Sequence, residues 1–430
     1  MEEKTHKRAI WAWTMYDWGN SAFATTIMAA VLPVYYSSVA AANLQPNIAT
    51  AYWGYTTSLA ALLAAIISPV LGAMADFRGS KKSFLTIFMV VGVTATALMY
   101  FIGTGDWLLA SLLFVFGQIG FAGSLVYYDA LLPHVAAPGE IDMVSSRGYA
   151  MGYIGGGILL AINLAMIMLS PESLTGLMTR LSFITVAVWW FIFTLPLLRI
   201  VSEPKRRILS GELNFNPLQA SFSRLAKTFK EIRKFKELSK FLLAFWVYSN
   251  GIGTIIVMAT IYGAEIGISR TTLIGTLLMV QFVAAPFAML FGWLSKKIGT
   301  KNSIYLALSI YSVIAIAGYF LEHEWQFWAL GFGVATVQGG AQALSRSLIG
   351  RMMPKSKSAE FYGFFSVFEK FATILGPALF GVVSQITGHS RLSIASLIIF
   401  FLLGLYILTR VNVDEGVRVA NADENEMQSA

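Results

Sequence analysis

Apolar residues in this chain come in long, nearly unbroken runs rather than in the alternation of a half-buried soluble helix or strand. Stretches of about 20 predominantly apolar residues, the length that crosses a bilayer core as a helix, fall at residues 10–38, 51–75, 84–103, 107–133, 146–169, 179–199, 240–264, 271–295, 302–321, 325–350, 361–386 and 389–410. Each predicts a transmembrane helix, because a segment in hydrocarbon must satisfy its own backbone hydrogen bonds. A polar segment over 201–239 separates the sixth run from the seventh. The pattern predicts an all-α integral membrane protein with twelve transmembrane helices in two six-helix bundles, residues 1–200 and 240–410. Inside the connecting segment Phe222, Leu225, Phe229 and Ile232 recur at helical spacing among lysines and arginines, which predicts an amphipathic helix lying on an anionic membrane surface. Residues 411–430 are acidic and are expected to form a disordered tail.

Composition agrees with the runs. Of 430 residues 56% are hydrophobic and 13% charged, about half the charged share of a soluble domain. The net charge of +8 is topological. Of the 31 lysines and arginines, only Arg180, Arg270 and Arg391 fall on one side of the predicted membrane and only Lys370 falls mid-span; the others lie on the side of the N-terminus. The positive-inside rule then places both termini in the cytoplasm and predicts a multi-pass protein of the cell membrane. It also removes nucleic acid as a partner. The chain has no cysteine, and its four histidines (His6, His134, His323, His389) fall near helix ends or in loops. No metal, cofactor or histidine relay inside the membrane is expected.

The two halves echo each other. Gly72-Ala73-Met74-Ala75-Asp76-Phe77-Arg78-Gly79-Ser80-Lys81-Lys82 follows the second span, and Gly292-Trp293-Leu294-Ser295-Lys296-Lys297-Ile298-Gly299-Thr300-Lys301 follows the eighth. Tyr16-Asp17-Trp18-Gly19 in the first span is matched by Tyr248-Ser249-Asn250-Gly251 in the seventh. Such six-plus-six repetition marks a secondary transporter whose site lies at the repeat interface.

Gly72 to Lys82 resembles the loop signature of the major facilitator superfamily, with its copy at Gly292. Tyr16 to Phe23, followed by Pro33-Val34-Tyr35-Tyr36, is similar to the vacuole-effluxer branch, whose fungal members export amino acids from the vacuole. The resemblance implies the major facilitator fold, with two pseudo-symmetric bundles. It implies too that Asp129 forms a charge relay with Asp76 and Arg78 that latches the cytoplasmic side. One departure stands out: where the branch carries an acid in its seventh helix, this chain has Asn250.

Carboxylates at membrane depth are costly and mark functional sites. Asp17 lies eight residues past Ala9, about 12 Å along the helix, with Asn20 and Ser21 at i+3 and i+4. This stripe suits a substrate, a proton, or a closed structural network with helix 5 or 7. Glu369 and Lys370 interrupt the eleventh span. As neighbours they point about 100° apart on a helix, so one is expected to face the pathway; Lys370 is the expected charge partner of Asp17 or the holder of an anionic group. Gly148, Gly152 and Gly156 form a small-residue stripe for close helix packing, and Gly376-Pro377 predicts a kink.

These readings predict a secondary active transporter for a small polar solute such as an amino acid, working by alternating access with a coupling proton, and acting as a monomer in the lipid bilayer. Efflux of amphipathic or lipid-like compounds and a non-transporting sensor are the rivals. No nucleophile–histidine pair lies within the spans, so an enzyme is not expected.

Overall fold

The computed structural model describes residues 2–204, 234–387 and 390–429, and the predicted amphipathic linker helix lies outside them. The described residues form helices joined by short turns. Helix α1 runs from Glu2–Ala22 into π-wound turns at Phe23–Val31 and Tyr36–Ala40, with a short α segment, Leu32–Tyr35, between them. Then follow α2 (Pro46–Arg78), α3 (Lys81–Leu98), α4 (Trp107–Val135), α5 (Ile141–Met168) and α6 (Glu172–Ile200). The second half holds α7 (Lys236–Glu265), α8 (Arg270–Ile298), α9 (Thr300–Tyr319), α10 (Glu324–Met352), α11 (Ser358–Thr387) and α12, in two pieces, Ser390–Ser396 and Ile398–Thr409.

Local chemistry sets the ends. Pro46 opens α2 where a missing N–H costs nothing, and Gly79 closes it in the left-handed region at φ 61°. The Ser269 hydroxyl caps α8 by accepting from Thr272 N. His323 and Gln326 box the start of α10.

Eleven of these helices are apolar enough to cross a membrane by composition alone. The exception is α10, which carries Gln338, Gln342, Ser345, Arg346 and Ser347 along 29 residues. It packs on α5 and α8 and hides that polar stripe inside the protein. The halves meet mainly along two seams, α2 on α11 and α5 on α8 and α10.

Residues 411–430 correct the expectation of a disordered end: Val413–Ser429 forms a further helix, α13, against α7 and α10. Its acids meet cations. Asp423 pairs with Lys234 at 2.7 Å and with Lys357 at 3.1 Å, and Glu424 accepts from Ser356 N and Oγ. A charge run that looked solvated in sequence is matched by lysines from two segments distant in the chain, one before α7 and one before α11.

Candidate functional site

Helix α1 buries Trp13, Tyr16, Asp17 and Asn20 together. Trp13 stacks on Tyr128 of α4, ring centres 4.3 Å apart, and donates Nε1–H to the Tyr128 carbonyl. That stack aims the Tyr128 hydroxyl at Asp17, where it donates to Oδ2 at 2.8 Å. Into the same spot reaches Arg346 from α10. Its Nη1 donates to Asp17 Oδ2 at 3.3 Å and to Asp129 Oδ1 at 3.1 Å. Nε donates to Ser145 Oγ at 2.9 Å and Nη2 to the Ser145 carbonyl at 2.8 Å. The guanidinium also lies 4.3 Å from the centre of the Tyr149 ring and 5.1 Å from that of Trp13.

Arg346 is only 2% exposed, so its charge depends on these partners; a buried guanidinium without them would be severely destabilising. The partners come from α1, α4 and α5, whereas Arg346 belongs to the other half. With both acids ionised, the cluster carries two negative charges against one positive. Gly148 makes the approach possible. A Cβ there would sit 2.7 Å from Asp17 Oδ2 and 2.8 Å from Arg346 Nη2.

Nearer the end that carries the termini, three more contacts cross between the halves. Asp142 accepts from Ser347 Oγ and Thr300 Oγ1, both at 2.6 Å, and faces Arg351 at 3.5 Å. Asp76 pairs with Lys81 at 2.5 Å and accepts from Glu360 N at 2.8 Å, placing a carboxylate on the positive end of α11. His134 lies 3.3 Å from Ser358 Oγ. Together these fasten the terminus-bearing side of the two halves.

A cavity of ≈ 170 Å³ adjoins the cluster at Tyr149. Phe245, Tyr248, Phe365, Gln342 and Glu369 line it with Tyr149. A second, apolar cavity of ≈ 130 Å³ lies within the second half, against Ile255, Leu273, Leu277, Ile314 and Phe327.

The sequence expectations sort against this geometry. Asp17 is at the centre of the cluster, but its charge partner is Arg346 and not Lys370. Lys370 lies 3.9 Å from its neighbour Glu369; α10, not α11, presents its cation to α1. Asp129 shares Arg346 with Asp17 rather than joining Asp76, which is held by Lys81. The Arg78 side chain lies outside the described residues. Asn20 is buried within its own half, while Ser21 lies against Gly152, where a Cβ would be 2.5 Å from Ser21 Oγ. Asn250 joins α7 to α11. Its Nδ2 donates to the Trp246 carbonyl and its Oδ1 accepts from Gly376 N, beside the proline of α11. Of the neighbours Glu369 and Lys370, Glu369 is the one that lines the cavity beside Tyr149. The sequence reading missed Arg346, Tyr128, Ser145, Tyr149 and Asp142. A signal for Arg346 existed: Gln338, Gln342 and Arg346 follow at i+4 spacing inside the tenth span.

Comparison with known proteins gives the class. The model of the family "Vacuole effluxer Atg22 like" matches residues 5–141 and 137–421. The MFS-type transporter YxiO of Bacillus subtilis (strain 168) is 40% identical over 406 residues, covering 93% of this chain and 94% of that one. Autophagy-related protein 22 of Saccharomyces cerevisiae (strain ATCC 204508 / S288c) is 26% identical over 423 residues, 85% of this chain and 79% of its own. Among solved structures, the proton:xylose symporter XylE superposes with a TM-score of 0.72 at 13% identity, over 95% of this chain and 96% of its own. A bacterial homologue of ferroportin in an outward-facing state superposes at 0.63 with 14% identity, over 94% and 98%. The architecture is the twelve-helix major facilitator fold, that of multi-pass secondary transporters. The chain belongs to the Atg22-like family of that superfamily.

Proposed function

We propose that this protein moves a small polar solute, an amino acid or similar metabolite, across the cell membrane by alternating access, with both termini in the cytoplasm. The observation that carries the reading is the Asp17–Arg346–Asp129 cluster: one guanidinium of the second half held by two carboxylates of the first, with a cavity adjoining it at Tyr149. Contacts that span two bundles must break when the bundles rock apart, so the cluster acts as the latch of the closed cytoplasmic side. The surplus carboxylate gives a coupling proton its place. Protonating one acid leaves a neutral pair with Arg346; releasing the proton restores the surplus charge. Asp142, Asp76 and His134 are gating residues below the latch.

The test is counterflow of labelled amino acids in proteoliposomes, with and without a pH gradient. Wild type is expected to exchange solute and to respond to the gradient, and Asp17→Asn to lose that response. Unchanged rate and pH dependence in Asp17→Asn overturn the coupling role. The apolar cavity against Leu273 and Phe327 favours a second reading, efflux of amphipathic compounds. Competition by such compounds in the same assay separates the two.

A further inference from the structure

We propose that the cavity lined by Tyr149 takes a small organic ammonium ion, with Glu369 as its counter-ion and aromatic residues in its walls. The proposal rests on the transporter reading and narrows it to a substrate class.

The walls are aromatic on several sides. Tyr149, Phe245, Tyr248 and Phe365 contribute rings, and Phe245 and Phe365 pack on each other with ring centres 4.4 Å apart. Ring faces attract a cation beyond what they offer a neutral solute of equal shape. Glu369 is the one charged side chain among the lining residues, and its side chain is 43% exposed. An anion placed here would meet that carboxylate. The hydroxyls that remain are partly spent, since Tyr248 and Ser345 lie 2.5 Å from each other in a hydrogen bond.

The wider field has the same sign. Asp17, Asp129 and Glu369 stand against Arg346 and Lys370, so with all five ionised the region carries one surplus negative charge. One monocation neutralises it. Tyr149 lines the cavity and its ring centre also lies 4.3 Å from the Arg346 guanidinium, so a cation in the cavity and the latch would share one ring. The volume of ≈ 170 Å³ suits a compact ion, since a cavity of about 150 Å³ holds a benzene ring.

Choline and its uncharged isostere 3,3-dimethylbutan-1-ol test the idea, with phenethylamine as a primary ammonium of similar size. Binding to the purified full chain is read by calorimetry and by thermal shift, for wild type, Glu369→Gln and Tyr149→Leu. The expected result is binding of at least one ammonium to wild type, weakened about 10-fold or more in Glu369→Gln, with the isostere failing to bind. Glu369→Gln conserves shape and half-exposure, so its thermal midpoint without ligand checks that it folds. If neither ammonium binds wild type, if Glu369→Gln binds equally well, or if the isostere binds as tightly as choline, the proposal is wrong. Counterflow keeps the two readings apart. A chain that exchanges amino acids undisturbed by either ammonium retains its transport role and loses this site. One that binds choline through Glu369 but exchanges nothing retains the site and loses the transport role.

Discussion

Replacing Arg346 with Gln is the sharpest perturbation of the latch. The change removes the donors to Asp17, Asp129, Ser145 Oγ and the Ser145 carbonyl, and it leaves two acids close together without their shared cation. Removing one member of a buried pair typically costs about 3–5 kcal/mol. Every one of those partners lies in the other half, so most of the cost falls on the closed arrangement rather than on either bundle. At about 1.4 kcal/mol per factor of ten, the balance between closed and open cytoplasmic sides shifts by roughly 10²- to 10³-fold. The chain's lack of cysteine makes this measurable. Ser146 is fully buried on the seam, where a Cβ at Gly292 would be 2.6 Å from its hydroxyl. A lone Ser146→Cys is therefore expected to resist a membrane-impermeant maleimide in wild type and to label rapidly in inside-out vesicles of Arg346→Gln. Neutralising Asp17 and Asp129 together in that background should restore part of the protection, because the repulsion is then gone. Equal labelling rates with and without Arg346 would refute the latch.

Other expectations follow from the same contacts. Gly148→Ala should abolish solute exchange while leaving expression intact, since its Cβ collides with Asp17 and Arg346; Gly139→Ala, with nothing within 4 Å, is the matched control in the same assay. Asp76→Asn weakens a carboxylate at the start of α11 and its pair with Lys81, and should raise Ser146→Cys labelling by less than Arg346→Gln does, the dipole interaction being worth about 0.3–1 kcal/mol. Asp423→Ala strands Lys357, 11% exposed in its side chain, and should lower the thermal midpoint measurably; an unchanged midpoint would mean that α13 adds nothing to stability.

Most of the architecture was legible in the sequence because the bilayer imposes it. A run of about 20 apolar residues has few alternatives to a spanning helix, and even α10 was found, although its polar stripe defeats a purely compositional criterion. Asp17 was legible for the same reason, as a charge where charge is costly. Its partner was not. Arg346 lies near the end of α10, where a tally of cations by side assigns it to the cytoplasm and hides its burial. Which helix of the second half faces α1 is a packing outcome that periodicity does not encode, so Lys370, isolated mid-span, drew attention to the wrong helix. The α13 contacts were missed for a similar reason: Asp423 and Lys357 are 66 residues apart in sequence, and composition alone reads both as solvated.

The polar stripe of α10 has a consequence for how the protein is made. An arginine in a helix opposes its entry into a bilayer, by a cost that reaches about 2.5–3.5 kcal/mol at the helix centre, and α10 lacks the apolar surplus that would offset it. The groups that neutralise Arg346 belong to α1, α4 and α5, which leave the ribosome first. The first half is thus a template already in the membrane when α10 arrives. Synthesised alone, the second half should leave α10 poorly inserted, and co-synthesis with the first half as a separate chain should rescue it. The ion cluster that ties the halves together in the finished molecule would then also order their assembly.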